Sequence, residues 1–269
     1  VLEDAGFEVV VPRQRLCCGR PLYDYGMLDL AKRKLRQVLD ALRPAIRAGV
    51  PVVGIEPSCL SVFRDELLNL MPEDEDAQRL AKQTKLLSEF LLAQEAWRPP
   101  HVPIRALLHE HCHHRAVLDS ESDAELLKRM GVELLPNAAG CCGQAGAFGY
   151  EAEHAEVAVK IAQQAFLPAV RKAGSDAAIL ADGFSCREQV RLGTGRRALH
   201  PAELIAAALD GDAGRSAPSL EALAREAPAA PRKESLAALA MAGAVLAALV
   251  LKRAGGAKAQ DKRLARAGG

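Results

Sequence analysis

Two copies of the tripeptide Cys-Cys-Gly are the part of the sequence best suited to chemistry. One copy covers residues 17–19 and the other covers residues 141–143. Adjacent cysteines do not readily form a disulfide with each other, because their Cα atoms are only about 3.8 Å apart. Two thiols beside a glycine turn also add little to packing. The tripeptide is therefore typical of a place where thiolates bind a metal or take part in redox chemistry.

The seven cysteines of the chain favour reduced thiols over a disulfide framework. Their number is odd, and the chain of 269 residues is much longer than the small secreted scaffolds that depend on disulfides. The first residues show no secretory signal. We therefore expect a cytoplasmic protein whose cysteines bind metal or carry out redox chemistry.

The overall composition is that of a globular protein with balanced charge. Apolar residues make up 49% of the chain and charged residues 26%, so a large core can be buried. The length corresponds to one large or two ordinary domains. The net charge of +1 and the aromatic content of 4% do not favour nucleic-acid binding, and we expect no nucleic-acid partner.

The sequence around the tripeptide is repeated as well. The stretch AGFEVVVPRQRLCCG (5–19) matches MGVELLPNAAGCCG (130–143), and RPAIRAGVPVVGIEPSC (43–59) matches LPAVRKAGSDAAILADGFSC (167–186). The two copies are separated by roughly 125 residues, which is the spacing of duplicated domains rather than of solenoid repeats. We predict a first unit at 1–97, including a helical connector, and a second unit at 98–210.

Strands and helices alternate in the second unit. The pattern predicts strands at 104–109, 132–136 and 176–182, and helices at 123–130, 151–174 and 185–192. Alternation of this kind indicates βαβ connections and a mainly parallel sheet. The predicted fold class is α/β, with two duplicated βαβ-type units and a helical or disordered C-terminal tail.

The cysteines of the second unit follow the predicted strands directly. Cys112 follows the first strand, Cys141 and Cys142 follow the second, and Cys186 follows the third. The carboxyl ends of parallel strands lie at one edge of the sheet, where open α/β sheets collect their binding sites. We therefore expect the four thiols to converge on one site.

The first unit contains Cys17, Cys18 and Cys59 at the matching positions. A counterpart of Cys112 would fall before Val1. The chain begins with a stretch that has the pattern of a domain interior, and we interpret it as the C-terminal part of a longer protein.

Polar residues beside the cysteines are predicted to support thiolates. Ser185 with Glu188 has the spacing of a capping box, which places Cys186 in the first turn of a helix, where free N–H groups favour an anion. The run HEHCHH places His111 and His113 on either side of Cys112. We expect these two histidines and Ser185 to interact with sulfur rather than to bind the metal.

These residues resemble the cysteine-rich CCG domain pair of iron–sulfur oxidoreductases. The resemblance covers about residues 1–210 and is carried by HEHCHHRAV, AGCCGQAGAFGYE and ADGFSCREQVRLGTGRRALHPAELI. The group includes the iron–sulfur subunits of glycolate oxidase and anaerobic glycerol-3-phosphate dehydrogenase, the lactate-utilisation iron–sulfur protein and the heterodisulfide reductase B subunit. Some members are fused behind an FAD-linked oxidase domain and ferredoxin-like iron–sulfur motifs.

The resemblance implies a [4Fe–4S] cluster, with zinc as the possible metal in one half. It implies two ligand sets, one with Cys112, Cys141, Cys142 and Cys186, and one with Cys17, Cys18 and Cys59. FAD would lie on a preceding region or on a partner, and the expected partners are a flavin-containing oxidase domain or subunit and a ferredoxin-like domain.

The implied function is electron transfer in a flavin-linked 2-hydroxy-acid dehydrogenase of the glycolate, lactate or D-2-hydroxyglutarate type. The alternatives are thiol–disulfide chemistry at a cluster, as in heterodisulfide reductase, and a zinc-stabilised interaction module. The fullest form of the family pattern ends in CxxC, whereas Val62 and Gln189 stand at the final cysteine positions here. This departure favours ordinary four-thiolate clusters.

The composition changes after residue 210. Residues 211–234 are rich in alanine, proline and charge, which predicts a linker. Residues 235–269 are predicted to form an apolar helix and a basic tail. The wholly apolar run 236–251 is slightly short for a membrane span. We expect it to form either an alanine-rich helix that is solitary or loosely docked, or a helix that contacts the inner face of a membrane.

Overall fold

The computed structural model describes residues 1–119, 121–136, 140–212 and 248–251. The two predicted units form two sheets, each covered by helices. The elements of the first unit are β1 (Glu8–Val10), α1 (Arg20–Asp24), α2 (Leu28–Arg47), β2 (Val52–Gly54), α3 (Pro57–Arg64), α4 (Glu66–Leu70), α5 (Glu75–Gln83), β3 (Thr84–Leu86) and α6 (Leu87–Leu92).

The second unit repeats this alternation of strand and helix. Its elements are β4 (Arg105–His109), α7 (Cys112–Val117), α8 (Ser122–Arg129), β5 (Glu133–Leu134), a 3-10 turn (Phe148–Tyr150), α9 (Ala155–Ala162), α10 (Phe166–Lys172), β6 (Ala177–Ala181), α11 (Phe184–Thr194) and α12 (Pro201–Asp212). A last strand, β7 (Ala248–Leu251), belongs to the sheet of the first unit.

The strand orders of the two sheets correspond to each other. The second sheet has the order β5-β4-β6 with parallel pairing throughout, and Leu180 of β6 forms a further parallel bridge with Leu199. The first sheet has the order β1-β7-β2-β3, and β2 pairs with β3 in parallel. In each unit, the strand before the Cys-Cys-Gly stretch (β1 or β5) and the strand before the next cysteine (β2 or β6) lie on opposite sides of a shared neighbouring strand (β7 or β4). This correspondence confirms the predicted duplicated α/β architecture.

The C-terminal apolar run differs from its prediction where the structure describes it. Residues 248–251 form the strand β7, which pairs antiparallel with both β1 and β2, whereas we predicted a helix over 236–251. A short apolar run is compatible with a strand as well as with a helix. Here β1 and β2 offer backbone N–H and C=O groups on either side of the run, and pairing with them favours the strand. The remainder of the predicted linker and helix lies outside the described residues.

The long helix predicted over 151–174 is also wrong in one respect. It is divided into α9 and α10 by a turn at residues 163–165. Pro168 lies in the first turn of α10, where a missing backbone N–H is tolerated. In a continuous helix the same proline would break a hydrogen bond and collide with the preceding turn.

Three clusters of buried side chains form the core. One belongs to the first unit and packs α2 against α3 and α5 through Leu35, Leu39 and Phe63. One belongs to the second unit and surrounds Phe166. The last cluster is shared by the two units. It includes Val53, Phe90, Leu91, Leu126, Leu127, Leu180 and Leu204. Since each fully buried leucine contributes about 1.5–3 kcal/mol, this shared core holds the two units together.

Among the described residues, none of the helices combines the length and the apolar character needed to cross a membrane.

Candidate metal centre

The cysteines of the second unit all lie at the carboxyl edge of its sheet. Cys112 is the first residue of α7, three residues beyond the end of β4 at His109. Cys141 and Cys142 lie in the segment that follows β5, and Cys186 lies in the first turn of α11, just after β6. Three separate βα connections therefore bring thiols to the same edge, as the sequence predicts.

Contacts between the thiols join these connections. The Cys142 thiol forms hydrogen bonds with the thiols of Cys141 and Cys186. The Cys112 thiol is close enough to Cys141 and Cys186 for their charges to affect one another. Cys142 and Cys186 are buried, whereas Cys112 and Cys141 are exposed. The group therefore has a buried half and a half that is open to solvent.

The first unit has an equivalent group of thiols. Sγ of Cys18 lies 3.2 Å from Sγ of Cys59, and the Cys18 thiol also bonds with that of Cys17. Cys59 lies in the first turn of α3, just after β2. The contacts of Cys17, Cys18 and Cys59 therefore repeat those of Cys141, Cys142 and Cys186, and all seven cysteines are free thiols.

The glycine of each Cys-Cys-Gly stretch has a specific structural task. Gly19 and Gly143 both adopt left-handed backbone conformations, with φ of 81° and 83°. In this conformation the N–H of Gly19 donates to Sγ of Cys17 at 3.4 Å, and the N–H of Gly143 donates to Sγ of Cys141 at 3.3 Å. The tripeptide therefore forms a tight turn that directs a backbone donor at the first thiol of each pair.

The grouping of the thiols disfavours their charged forms unless a cation is bound. Hydrogen bonding to Cys142 and burial raise the pKa of the Cys141 thiol above its ordinary range. The hydrogen bond from Cys141 lowers the pKa of Cys142, but its bond to Cys186 and burial raise the value to about 12. Burial and the charge of Cys141 raise the pKa of Cys112.

A metal or cluster would remove this penalty, because coordination replaces the protons of the thiols and neutralises their charge. Thiolates are the ligands that iron–sulfur clusters and zinc share. The thiols of the second unit therefore fit such a group in number and type, and all four lie at the same edge of the sheet.

The residues beside the thiols differ in part from their predicted roles. His111 is the residue before α7, and its Nδ1 accepts a hydrogen bond from the N–H of His113 at 3.2 Å. The Nδ1 atoms of His111 and His113 lie 3.9 Å and 4.0 Å from Sγ of Cys112. These three side chains lie close enough together to hold a metal ion, and both histidines are also within reach of the sulfur as hydrogen-bond partners.

The capping box predicted at Ser185 is wrong. The helix α11 begins at Phe184, so Ser185 lies inside its first turn, and Glu188 pairs with Arg191. A side chain from the other unit takes the capping role, since a carboxylate oxygen of Glu56 accepts the N–H of Phe184 at 2.9 Å. Oγ of Ser185 instead lies 4.0 Å from Sγ of Cys142.

A buried ion pair that the sequence patterns did not predict holds the loop of Cys112 in place. Oδ2 of Asp182 lies 2.5 Å from Nδ1 of His114, and its Oδ1 accepts the N–H of His111 at 2.8 Å. Burial alone would lower the pKa of His114, but the hydrogen bond and the charge of Asp182 raise it to about 9. In the sequence, the position of Asp182 at the end of a predicted strand is the feature that could have indicated this supporting role.

His114, Asp123 and Asp182 are close enough to form a second candidate metal group. Both ring nitrogens of His114 are already engaged, however, because Nε2 bonds to the carbonyl oxygen of Asp119 at 2.6 Å. Burial and the charge of Asp182 raise the pKa of Asp123 to about 7. This group is therefore a hydrogen-bonded support for the thiol site rather than a metal site.

The two thiol groups lie against a common set of polar side chains. Arg20, which follows the first Cys-Cys-Gly stretch, is buried and forms an ion pair with Glu66 and a hydrogen bond with Ser61. Burial lowers the pKa of His111 to about 4, and the charge of Arg20 contributes in the same direction. The bond from Glu56 to the N–H of Phe184 also joins the start of α3, which carries Cys59, to the start of α11, which carries Cys186.

The fold and the site define a protein made of two α/β units, each with a group of thiols suited to a metal at the carboxyl edge of its sheet. The family described as "Cysteine-rich domain" (CCG) matches residues 1–64 and 106–191. The chain belongs to this family. The two matched segments coincide with the two repeats, which confirms the resemblance seen in the sequence.

The curated relatives of the chain include dehydrogenases. It is 30% identical over 190 residues to D-2-hydroxyglutarate dehydrogenase of Pseudomonas putida, covering 70% of this chain and 18% of that protein. It is 27% identical over 213 residues to the C subunit of anaerobic glycerol-3-phosphate dehydrogenase of Escherichia coli K12, covering 78% and 53%. It is 34% identical over 159 residues to lactate utilization protein A of Geobacillus thermodenitrificans, covering 55% and 64%. The chain thus spans less than two thirds of each.

Proposed function

We propose that the chain is an iron–sulfur electron-transfer module of a flavin-linked 2-hydroxy-acid dehydrogenase. The observation that carries the proposal is the pair of equivalent thiol groups, each built from a Cys-Cys-Gly turn and a helix-borne cysteine. The helices that carry Cys59 and Cys186 are joined at their starts by Glu56. Two redox sites in one chain can pass electrons from one to the other between a donor and an acceptor.

The second unit offers a complete ligand set in Cys112, Cys141, Cys142 and Cys186. When bound there, a [4Fe–4S] cluster would supply reversible one-electron transfer. The burial of Cys142 and Cys186 excludes water from one side of the site, and the exposure of Cys112 and Cys141 leaves the other side open to an electron donor or acceptor. Cys17, Cys18 and Cys59 would hold the second group, and zinc is the alternative metal in this half.

The relatives support a place for the chain in a larger oxidoreductase. Two of them are named as dehydrogenases of D-2-hydroxyglutarate and glycerol-3-phosphate, and a third is named for lactate utilization. We propose that a flavin-containing oxidase domain or subunit supplies the electrons, and that a ferredoxin-like domain is a further partner. A cytoplasmic location is part of the proposal, because all seven cysteines are free thiols and such sites need reducing surroundings.

Thiol–disulfide chemistry at a cluster is the alternative reaction. It is less well supported, because the position three residues after Cys186 is occupied by the buried Gln189 instead of a further thiol. The four thiols that are present suit an ordinary electron-transfer cluster.

Anaerobic reconstitution of the full chain tests the proposal. We expect about four iron and four sulfide per occupied site, with a visible absorption band that is bleached by photoreduced flavin and a paramagnetic signal in the reduced state. Binding of zinc alone, at about one ion per four-thiolate site and without a reducible band, would instead identify an interaction module.

A further inference from the structure

Two glutamine side chains are buried beside the thiols of the second unit. Gln144 is 2% exposed and Gln189 is 1% exposed. Nε2 of Gln144 donates a hydrogen bond to Oε1 of Gln189 at 2.5 Å. A pair of buried carboxamides carries more hydrogen-bonding groups than this one contact satisfies.

The unsatisfied groups of the pair need a partner. Among the described residues, neither Oε1 of Gln144 nor Nε2 of Gln189 has one. Exchanging the oxygen and nitrogen of both amides would reverse the bond between them, and one N–H group and one carbonyl oxygen would still be left over. A buried polar group without a partner costs about 1–3 kcal/mol, so a buried pair of this kind indicates a ligand.

The pair lies next to the two buried thiols. Gln189 follows Cys186 by three residues on α11, so the two side chains share a face of the helix. Gln144 follows Cys142 by two residues, and its backbone N–H donates to the Cys142 thiol. Nε2 of Gln189 makes no hydrogen bond to a cysteine sulfur in the described part of the chain. The donor is therefore left for the sulfurs of the site once metal binding has replaced their protons and made them stronger acceptors.

The chain holds Gln144 in this position through its neighbours. The N–H of Gly149 donates to the carbonyl oxygen of Gln144 at 2.8 Å. A Cβ atom at Gly149 would lie 2.2 Å from Oε1 of Gln144, so only a glycine leaves room for the side chain. The glutamine is thus fixed before any ligand binds.

We propose that the Gln144–Gln189 pair donates an N–H hydrogen bond to sulfur in the metal centre of the second unit, and that Gln189 tunes this centre without ligating it. The inference rests on the proposed function in one respect, namely that the thiols bind a metal. A donor to sulfur withdraws electron density and stabilises the more negative, reduced state, so the pair raises the reduction potential of a cluster bound there.

The test uses the full chain with Gln189→Met, which keeps the length of the side chain and removes the donor. Gln144→Met removes its partner, and Gln164→Met makes the same change at an exposed glutamine as a control. One set of samples is loaded with Co²⁺, whose sulfur-to-metal charge-transfer band reports the electron density on the thiolates. A second set is reconstituted with iron and sulfide and titrated for its midpoint potential.

We expect Gln189→Met to bind cobalt as the wild type does, with its charge-transfer band at longer wavelength and a more negative midpoint potential. Gln164→Met should match the wild type in both measurements. An unchanged band in fully loaded Gln189→Met would overturn the proposal. Loss of cobalt in both Gln189→Met and Gln189→Glu would also overturn it, because the side chain would then be a ligand or a structural support.

The cobalt measurement separates this inference from the proposed function. A chain that binds no cluster but shows the shifted cobalt band would contradict the iron–sulfur proposal and still support the hydrogen bond to sulfur. A reducible cluster whose potential and cobalt band are both indifferent to Gln189 would leave the proposed function standing and remove the inference.

Discussion

The carboxylate of Asp182 joins two of the connections that carry thiols. Its Oδ2 lies 2.5 Å from Nδ1 of His114, and its Oδ1 accepts the backbone N–H of His111. Asp182 follows β6, whereas both histidines flank Cys112 at the start of α7. The position of Cys112 relative to Cys186 therefore depends on one buried carboxylate.

Replacing Asp182 with asparagine should destabilise the protein and loosen the metal site. Removal of one partner from a buried ion pair costs about 3–5 kcal/mol, and the loss of a support for a metal ligand lowers affinity about 10–100-fold. Denaturant unfolding and a competitive metal titration measure the two effects. The control is Glu156→Gln, which breaks the exposed pair with Lys160 and should change stability by less than about 1 kcal/mol. An Asp182→Asn variant that matches this control in both measurements would show that the pair is dispensable.

The cysteines and the neighbouring histidines should respond differently to substitution. Cys142→Ser is expected to remove most of the metal of the second unit and to lower its stability, because metal binding and folding are coupled. His113→Ala is expected to retain the metal and to shift at most the reduction potential. Metal content per chain and a redox titration of each variant give the answer. Retention of metal by Cys142→Ser together with its loss from His113→Ala would mean that histidine belongs to the ligand set.

The glycine of the second Cys-Cys-Gly turn should not tolerate a side chain. In Gly143→Ala, the left-handed conformation costs about 1–2 kcal/mol, and the Cβ atom would lie 2.0 Å from the carbonyl oxygen of Ala158, which adds about 1–3 kcal/mol. Gly49 is the matched control, because its φ is also positive at 72° but its Cβ position is open. Thermal or denaturant unfolding should therefore place Gly143→Ala well below Gly49→Ala. Equal losses would mean that the turn adapts to the collision.

A cluster of ion pairs in the first unit makes its stability depend on pH. Asp76 is buried and paired with Arg43, Arg47 and Arg79. Hydrogen bonding to Arg47, helped by the bonds to Arg79 and Arg43, lowers the pKa of Asp76 from 3.8 to about 2. The ion pairs of Asp76 therefore stabilise the fold fully at pH values above 3.8, the ordinary pKa of this carboxyl. This stabilisation is lost as the pH falls towards about 2.

Asp76→Asn should accordingly be less stable than the wild type at neutral pH, and the difference should shrink below pH 3.8. Unfolding curves recorded across the acid range measure this. Glu75→Gln, at an exposed partner of Arg79, serves as the control and should show a much smaller difference at every pH. A constant deficit of Asp76→Asn down to about pH 2 would mean that its carboxylate charge is not the source of the stabilisation.

Local sequence patterns were sufficient for the architecture and for the edge of the sheet at which the thiols gather. The repeat around residues 17–19 and 141–143 predicted two equivalent units, because duplicated sequences bury the same positions and form the same elements. The alternation of apolar runs and amphipathic stretches predicted the parallel strands β4 and β6. The edge at which the thiols gather then followed, since every parallel strand ends on the same side of its sheet.

The supporting contacts were decided by tertiary structure alone. Glu56 caps α11 from more than a hundred residues away, and Asp182 reaches His114 across two connections. The apolar run that ends at Leu251 could form either a helix or a strand, and pairing with β1 and β2 selected the strand for residues 248–251. Such contacts join residues that are distant in the chain, and the burial that makes them strong exists only once the two units have packed together.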